Sequence, residues 1–469
     1  MKMKKQKSMK KYVNIGLILA CIIVLLIVPA IRWSNGDSFV GEEPFLFLRL
    51  AEDVGLTDNL SYSGRFAAYD WGVPLAMSFA PSILIYLLPF IFGLLSFIIF
   101  GLILKKLEIS RKVRNMSLLL FLLSPCFVYL FSFTNALFLP LFICLLTFYL
   151  FMKKSLWTIP LVLILPLFNV ILCASLLIVL FFYMQYNEKK SQNHFILLLL
   201  LGVITSILYY GYFIFSAGWP GSFGGFSFDP FKRMVFDLGS SFGLGIFVIT
   251  LAAIGILVSW KNKYENKFLV ASLVFLSIFS YLKQDVLVLL NLFIVVIGGY
   301  GLYHMLRIKR WNNDTLKKFV LIIIMCGVAF SCLAQFNNLI EEGPNEGVVK
   351  ALEFLEKQEQ GVVFSDYTRG IWINSAGQPN VMDSQYKFAP EVNERYEDST
   401  NFFYTRDVEN ASLFIEKYDI KYVWVDEELK EEIWDYDTQG LLFLLEYTNQ
   451  FNKIYYREGV EIWEVTKEE

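Results

Sequence analysis

The 469-residue chain is 56% hydrophobic and only 18% charged, with a mean hydropathy of +0.51. This composition excludes a purely soluble protein, because a globular core cannot bury so much apolar surface, and it predicts a chain that crosses a membrane repeatedly. The net charge of −2 conceals an asymmetry, since residues 1–339 carry a net +15 and residues 340–469 a net −17. We therefore predict a transmembrane domain, 1–339, followed by a soluble domain, 340–469.

The cysteines and histidines exclude several kinds of site. All six cysteines lie inside apolar runs, so they form neither a disulfide framework nor a metal-ligand pattern. The two histidines, His194 and His304, flank apolar runs on the side that we predict to be cytoplasmic. We therefore expect neither a Ser-His-Asp triad nor a histidine metal site on the outer face.

Basic loops give the orientation of the apolar segments. Six lysines between Lys2 and Lys11 precede a first apolar run that is too long for a cleaved signal peptide, so we predict a retained helix. Loops rich in Lys and Arg are typically cytoplasmic, and placing all of them inside gives about eleven transmembrane helices. The predicted helices are 12–32, 76–104, 116–133, 135–152, 156–169, 170–186, 195–216, 242–260, 267–282, 285–305 and 318–336.

This topology predicts a multi-pass protein of the cell membrane with a cytoplasmic N-terminus and an extracytoplasmic C-terminal domain. The outer loops of more than a turn's length are 33–73 and 217–241. The uncertain stretch is 156–186, which is just long enough for two short helices broken near Pro166 and Asn169.

The C-terminal domain has the pattern of a small α/β domain, in which amphipathic segments alternate with short apolar strands. The predicted helices are Glu346–Gln358, Val408–Tyr418 and Leu441–Asn449. The predicted strands are Gly361–Ser365, Lys421–Asp426 and two within Lys453–Val465.

The first outer loop carries the strongest candidate for chemistry. Pro44 suits the first position of a helix and Gly55 its C-terminal cap, so we predict a short helix, Phe45–Val54, on the membrane surface. Glu42 and Glu43 then lie at the helix entry, where the helix dipole favours their ionised form. Either carboxylate is a candidate general base, and a solvated loop carboxylate with no role is the alternative.

Several other residues are candidates for ligand contacts. Arg49 and Arg65 are candidates for binding a phosphate at the membrane interface or, equally, for reaching toward lipid headgroups. Lys283 is a further phosphate candidate, and it also has a possible ion-pair partner in Asp285. Asp237 precedes a predicted helix and is either an acceptor-facing residue or a helix cap.

Glu43-Pro44-Phe45 followed by Arg49 resembles a motif of the GT-C superfamily of membrane glycosyltransferases, with Glu in place of the family's Asp. Within that superfamily the chain is most similar to the catalytic subunit of oligosaccharyltransferase and its prokaryotic relatives. Residues 362–373, 377–383 and 411–426 resemble three short segments of the family's soluble domain in the same order. The resemblance implies a GT-C-like helical membrane domain, a polyprenyl-linked sugar donor, and a catalytic carboxylate in the first outer loop.

The chain also departs from the family pattern. Phe364-Ser365-Asp366-Tyr367 stands where the family has Trp-Trp-Asp-Tyr, and the second outer loop, residues 132–137, has no acidic residue where the family has Asp-x-Asp. These differences argue against recognition of a protein sequon and against a metal site, so we expect no bound metal. Asp366, Tyr367 and Arg369, at the end of a predicted strand, remain candidates for facing an acceptor, or they form an ordinary turn.

Three functional hypotheses follow. The first is a transferase that moves a sugar from a polyprenyl phosphate to a glycan, lipid or protein acceptor at the outer face, with Glu42 or Glu43 as base. The second is a divergent oligosaccharyltransferase that moves a lipid-linked glycan to protein, and a divalent cation (Mg or Mn) enters only under this alternative. The third is a scaffold or transporter with an outer recognition domain, although the scarcity of charge within the apolar runs argues against transport. We expect contact with the lipid bilayer and no nucleic-acid partner.

Overall fold

The computed structural model describes residues 2–34, 39–80, 82–187, 192–219, 230–238, 240–259, 267–307, 314–436 and 438–466. The centre of the predicted outer loop 217–241, residues 220–229, lies outside the described residues. Most of the described chain is helical, and the strands are confined to a two-stranded ribbon in the first outer loop and a four-stranded sheet near the C-terminus.

The membrane half consists of apolar helices joined by short connections. Their bounds are α1 Lys2–Ser34, α2 Glu43–Glu52, α3 Gly72–Ser78, α4 Ser82–Lys106, α5 Arg111–Leu122, α6 Pro125–Ser132, α7 Phe138–Met152, α8 Thr158–Phe168, α9 Val170–Asn187, α10 Gln192–Ala217, α11 Pro230–Met234, α12 Ile246–Ser259, α13 Lys267–Leu282, α14 Val286–Arg307 and α15 Asp314–Glu341. The ribbon pairs β1, Thr57–Asp58, with β2, Arg65–Phe66, in antiparallel register.

Each of the eleven predicted transmembrane segments contains an apolar helix. The helix lengths alone do not give the number of membrane crossings. Within the described residues, five helices are long and apolar enough to cross a membrane, or six when α5 and α6, bent by 60° at their junction, count as one span. Five further apolar helices have 10–17 residues. The predicted helix 76–104 is wrong in one respect, because the structure forms two helices there, α3 and α4.

The helix α14 is the centre of the membrane half. Nearly all of its residues from Val286 to Leu302 are buried, although their composition is that of a membrane span. Glycines permit this close packing, since a Cβ at Gly301 would lie 2.1 Å from the Leu251 carbonyl oxygen of α12. By contrast, most of α10 is exposed in the isolated chain, as expected for a helix that faces lipid.

The segment from Glu346 to Val465, called the C-terminal unit below, is an α/β structure, as predicted. Its elements are α16 Glu346–Leu355, β3 Val362–Phe364, α17 Gly370–Ser375, α18 Val392–Tyr404, α19 Val408–Tyr418, β4 Ile420–Asp426, α20 Glu427–Ile433, α21 Leu441–Tyr447, β5 Phe451–Arg457 and β6 Val460–Val465. The strand order is β3-β4-β6-β5, with β3 and β4 parallel and the other pairs antiparallel. The predicted elements are found within a few residues of their expected bounds, while α17, α18 and α20 were not predicted. The predicted domain boundary at 339/340 falls in the last turn of α15, and the division into two domains remains a prediction.

The first outer loop docks on the C-terminal unit. Tyr62 is fully buried in the apolar core that α18, α19 and β4 also line, and its hydroxyl donates to the Asp383 carbonyl at 2.9 Å. The Tyr62 backbone N–H donates to Asn380 Oδ1 at 2.9 Å, and Asn380 N–H donates to the Leu60 carbonyl at 2.8 Å. The loop and the C-terminal unit therefore share one core.

Arg32, in the last turn of α1, forms hydrogen bonds with the segment that connects α15 to the C-terminal unit. Its buried guanidinium donates to the carbonyls of Phe39, Ile340 and Glu342, at 2.5, 3.0 and 2.5 Å. One charged side chain thus joins the first helix, the first outer loop and the segment that enters the C-terminal unit.

We predict that Tyr62→Ala separates the first outer loop from the C-terminal unit. Truncation of a fully buried aromatic side chain costs about 3–5 kcal/mol through lost burial and the cavity left behind. The purified protein should unfold at a lower temperature, and proteases should cut within residues 60–66 earlier than in the wild type. Tyr447→Ala is the matched control, because Tyr447 is 66% exposed. Equal protease resistance of the two variants would contradict the docking role of Tyr62.

Candidate functional site

The helix α2 starts at Glu43, with Glu42 as the preceding residue and Pro44 in its first turn. It spans Glu43–Glu52, two residues earlier at each end than predicted, and its C-terminal cap is Asp53 and not Gly55. Pro44, Leu46, Phe47 and Leu50 are buried, which fixes α2 against the protein and holds its N-terminus in place. The two carboxylates therefore project from a rigid element.

Glu43 is bonded to the second outer loop. Its Oε2 accepts a hydrogen bond from the Ala136 backbone N–H at 2.9 Å. Asn135 shapes this loop: its amide group donates to the Leu130 carbonyl at 2.9 Å, and its oxygen accepts from the Leu137 N–H at 2.9 Å. A backbone amide thus contacts the carboxylate at the place where the family has its Asp-x-Asp motif.

Glu43 lies in a recess with other acidic side chains. It stays partly accessible although protein surrounds it. This burial raises the pKa of Glu43 to about 7, and the negative charges of Asp285, Glu342 and Asp70 add to the rise. The bond from Ala136 opposes the rise without cancelling it.

Two of these neighbours are held by polar side chains. Asn169, in the break between α8 and α9, donates to Asp285 Oδ2 at 2.9 Å. Tyr209 accepts from the Trp71 N–H at 3.1 Å and donates to the Tyr69 carbonyl at 2.8 Å, which fixes the backbone on both sides of Asp70. Burial also raises the pKa of Asp70 to about 6, and the nearby Lys387 opposes this.

Glu42 faces the C-terminal unit. The Ser384 hydroxyl donates to Glu42 Oε1 at 2.5 Å. Burial raises the pKa of Glu42 to about 8, with smaller contributions from the charges of Glu43 and Asp383. Burial and like charges thus raise the pKa values of both carboxylates, opposite to the direction that we predicted from the helix N-terminus.

Arg49 and Arg65 have structural partners. Arg49 forms a two-pronged ion pair with Asp58, with N···O distances of 2.7 and 2.8 Å, and Asp58 also accepts from the Tyr69 hydroxyl. Arg65 is buried, lies over the rings of Tyr62 and Tyr69, and donates to the Gln385 carbonyl. Both guanidinium groups thus tie the first loop together or to the C-terminal unit, which corrects their assignment to a donor phosphate.

Lys283 and Asp237 have different environments, since Lys283 is exposed and Asp237 accepts hydrogen bonds from the protein. Lys283 is exposed in the short turn between α13 and α14, two residues before Asp285. Asp237 accepts from the Ile246 N–H at 2.8 Å and from the Ser331 hydroxyl at 2.9 Å. Ile246 is the first residue of α12, so Asp237 has the capping role that was the alternative to facing an acceptor.

The three candidates after β3, which are Asp366, Tyr367 and Arg369, have different environments in the structure. Arg369 is buried and pairs with Asp426, both N···O distances being 3.0 Å, so it holds β4 against the turn and does not face an acceptor. Asp366 and Tyr367 are half-buried and line a pocket beside Glu42.

Sequence reasoning missed Asp70, Asn169, Glu342, Ser384 and Lys387 as parts of this site. Asp70 has a detectable signal, since it is a lone acid between Tyr69 and Trp71 in a largely apolar stretch. The others come from separate segments, and only the fold brings them near Glu42 or Glu43.

A metal ion does not fit the residues that surround Glu43. Among the described residues, no group of three or more His, Cys, Asp or Glu side chains is arranged to hold a metal. The second outer loop offers Glu43 a backbone N–H donor, which is not a metal ligand. Glu42 in turn accepts from Ser384.

No family model matches the chain, and no curated protein matches it in sequence. Solved structures of the oligosaccharyltransferase of Archaeoglobus fulgidus match it in fold. The complex with an inhibitory peptide and a dolichol-phosphate gives a TM-score of 0.63 at 12% identity, covering 98% of this chain and 75% of that one. The form tethered to an acceptor peptide with the NVT sequon gives 0.60 at 13%, covering 98% and 74%, and the complex with Zn and sulfate gives 0.63 at 14%, covering 96% and 73%. The predicted resemblance is thus confirmed at the level of the fold: this chain has the fold of these archaeal oligosaccharyltransferase structures.

Proposed function

We propose that this protein is a membrane glycosyltransferase that moves a sugar from a polyprenyl-phosphate-linked donor to an acceptor at the outer face. The observation that carries the proposal is the pair Glu42 and Glu43, which the fold holds in a partly accessible recess between the membrane half and the C-terminal unit. The fold shared with an enzyme crystallised with dolichol-phosphate supports a lipid-linked donor.

Glu43 is the better general base of the two. Burial and neighbouring negative charges raise its pKa to about 7, which suits a group that accepts a proton near neutral pH. Glu42 instead accepts a hydrogen bond from Ser384 of the C-terminal unit. We assign Glu42 the role of positioning an acceptor between α2 and Ser384.

The proposed reaction is a single displacement. The acceptor hydroxyl oxygen forms a bond to the anomeric carbon, and the bond between that carbon and the phosphate oxygen breaks. The polyprenyl phosphate leaves with the electron pair, while Glu43 takes the hydroxyl proton. The phosphate needs a cation near this recess, and the exposed Lys283 and Lys387 are the candidates, since each neighbours one of the acidic residues around Glu43.

A divergent oligosaccharyltransferase is the second candidate, and one observation favours it: the fold matches a structure tethered with an acceptor peptide containing the NVT sequon. It differs from the first candidate in the donor, a preassembled glycan, and in the acceptor, a protein asparagine.

We predict that Glu43→Gln abolishes most of the transfer. Removal of a positioned general base typically costs a factor of about 10² or more. The assay uses purified protein with short-chain polyprenyl-phosphate glucose, galactose, mannose and N-acetylglucosamine, each labelled in the sugar, and follows release of label from the lipid. Glu52→Gln is the matched control, on an exposed residue of the same helix. Wild-type protein that consumes none of these donors would remove the main support for the enzyme.

We predict that the transfer rate rises with pH and levels off above about 7. Glu43 must be ionised to accept a proton, and burial has raised its pKa to about 7, so protonation lowers activity below that value. Asp285→Asn removes a negative neighbour, so it should move the midpoint of the profile to lower pH. A midpoint near the ordinary value for a glutamate, in the wild type, would contradict the assignment of Glu43.

We predict that EDTA leaves transfer unchanged within about twofold, because the residues around Glu43 lack a metal-ligand set. The control is the same assay with added Mg²⁺ or Mn²⁺. Loss of activity in EDTA that Mg²⁺ or Mn²⁺ restores would favour the oligosaccharyltransferase alternative.

A further inference from the structure

The side chain of Tyr129, in the last turn of α6, ends in a hydroxyl group that the protein does not bind. This side chain is partly accessible, and no hydrogen bond joins its hydroxyl to any residue that the structure describes. The hydroxyl is not one of the enclosed polar atoms that lack a partner, so a ligand can reach it. Since a phenol hydroxyl both donates and accepts hydrogen bonds, Tyr129 is suited to a polar ligand.

Aromatic contacts hold the Tyr129 ring in one position. The ring stacks on Phe242, with centroids 4.7 Å apart and planes inclined by 16°, and it lies edge-to-face with Phe133 at 5.1 Å. The Tyr129 carbonyl accepts from the Asn135 amide group at 3.2 Å. A side chain that is already ordered loses little conformational entropy when a ligand binds, so this hydroxyl is preorganised.

Tyr129 and Glu43 share one recess. The connection from α6 to α7 bonds Glu43 through the Ala136 N–H. The negative charge of Glu43 acts on the Tyr129 hydroxyl, and those of Asp285 and Glu342 act on both groups. Segments that are far apart in the chain therefore converge near this hydroxyl without forming a hydrogen bond to it.

A second tyrosine extends the polar surface of the recess. Tyr210 of α10 is partly accessible, and its hydroxyl likewise has no hydrogen-bond partner in the described part of the chain. Its ring packs against Phe213 of the same helix and Phe388 of the C-terminal unit, with centroids 6.4 Å apart in both pairs. The negative charge of Asp285 acts on this hydroxyl too. Two ordered tyrosines on different helices thus lie near one carboxylate.

The charges of the recess restrict its ligand. The neighbouring charges that act most on Glu43 are those of Asp285, Glu342 and Asp70, and all three are negative. Lys387 opposes the effect of burial on Asp70 alone among these. A carboxylate or phosphate close to the three acids is repelled, whereas hydroxyl groups donate to carboxylates and exchange hydrogen bonds with tyrosine hydroxyls. The recess therefore suits an uncharged polyol.

The position of the tyrosines favours the donor sugar over the acceptor. Both tyrosines are on helices of the membrane half, and the polyprenyl chain of a donor is buried in lipid on that side. On the opposite side of the recess, Glu42 accepts from Ser384 of the C-terminal unit, where the acceptor is placed above. Because the acids repel the donor phosphate, the sugar ring is the part of the donor that lies beside Tyr129.

We propose that the sugar moved by this protein is uncharged, a neutral hexose or N-acetylhexosamine, and that Tyr129 and Tyr210 hold its hydroxyl groups next to Glu43. This inference rests on the proposed function for the identity of the donor, whereas the binding preference is measured without any transfer.

The test compares donor analogues that differ by one charge. In each short-chain polyprenyl phosphonate a CH₂ group replaces the oxygen between sugar and phosphorus, so that no transfer occurs. The tritiated analogues carry glucose or glucuronic acid, and galactose or galacturonic acid, and scintillation proximity gives their Kd for the full-length protein in phosphatidylcholine nanodiscs. In at least one pair we expect the uncharged sugar to bind about tenfold more tightly or better, because the carboxylate of its partner meets a negative recess.

Two variants identify the hydroxyl groups that contact the sugar. Tyr129→Phe and Tyr210→Phe should each raise the Kd of the uncharged analogue about three- to tenfold, as expected for loss of one neutral hydrogen bond. Neither hydroxyl has a partner in the described structure, so the unfolding temperature should not fall. Tyr447→Phe, on a tyrosine that is 66% exposed, is the matched control and should leave the Kd unchanged.

A third variant tests the charge of the recess. The Glu342 carboxylate accepts no hydrogen bond from the described residues, so Glu342→Gln removes a charge without breaking a contact. It should reduce the preference for the uncharged sugar about threefold. Glu356→Gln, on an exposed residue of the C-terminal unit, is the matched control and should leave the preference unchanged.

Three results would overturn the inference: no analogue of the panel binds, each uronic acid binds as tightly as its uncharged partner, or both Phe variants bind the sugar like the wild type. Consumption of the labelled donors is measured separately. If the analogues bind with the expected preference and no donor is consumed, the proposed transferase fails and the class of sugar stands. If donors are consumed but charged and uncharged sugars bind equally, the transferase stands and the class of sugar fails.

Discussion

The insertion of Tyr62 into the core of the C-terminal unit is the contact on which the rest of the site depends. Its ring is fully buried among residues of α18, α19 and β4, and its backbone and hydroxyl bond to the segment around Asn380 and Asp383. Asp383 in turn accepts from the Ser61 hydroxyl at 2.5 Å. A loop that connects two membrane helices thereby becomes part of a folded domain, and the C-terminal unit is fixed in position over α2.

This docking explains why acidic side chains of distant segments can share one recess. Glu42 meets Ser384 across the boundary between the two halves, while Glu43 points the other way, to the Ala136 backbone of the membrane half. Protein on both sides removes water from the two carboxylates, and the negative charges of neighbouring acidic residues add to this effect, so the pKa values of both rise. The same enclosure that makes ionisation costly raises the basicity of Glu43, as its proposed role in proton transfer requires.

The arginines show how sequence-based assignments of function fail. Arg49, Arg65 and Arg369 were candidates because a guanidinium suits phosphate or a polar acceptor. In the structure, Arg49 pairs with Asp58 and Arg369 pairs with Asp426. Arg65 donates a hydrogen bond to the Gln385 carbonyl. A buried arginine needs a partner whatever its function, and the partner of Arg369 lies 57 residues away in the chain. Sequence cannot distinguish an arginine that awaits a ligand from one already paired.

The sequence by itself determined the apolar segments, the acidic α/β C-terminal unit and the short helix that begins at Glu43. These features follow from local periodicity, prolines and charge bias. It also identified the two glutamates at the start of that helix as candidates for a catalytic role. Only the tertiary structure decided that α14 is buried by other helices, that the first loop and the C-terminal unit share a core, and that the charges of Asp70, Asp285 and Glu342 act on Glu43. Those facts depend on contacts between residues far apart in the chain, and neither composition nor spacing encodes such contacts locally.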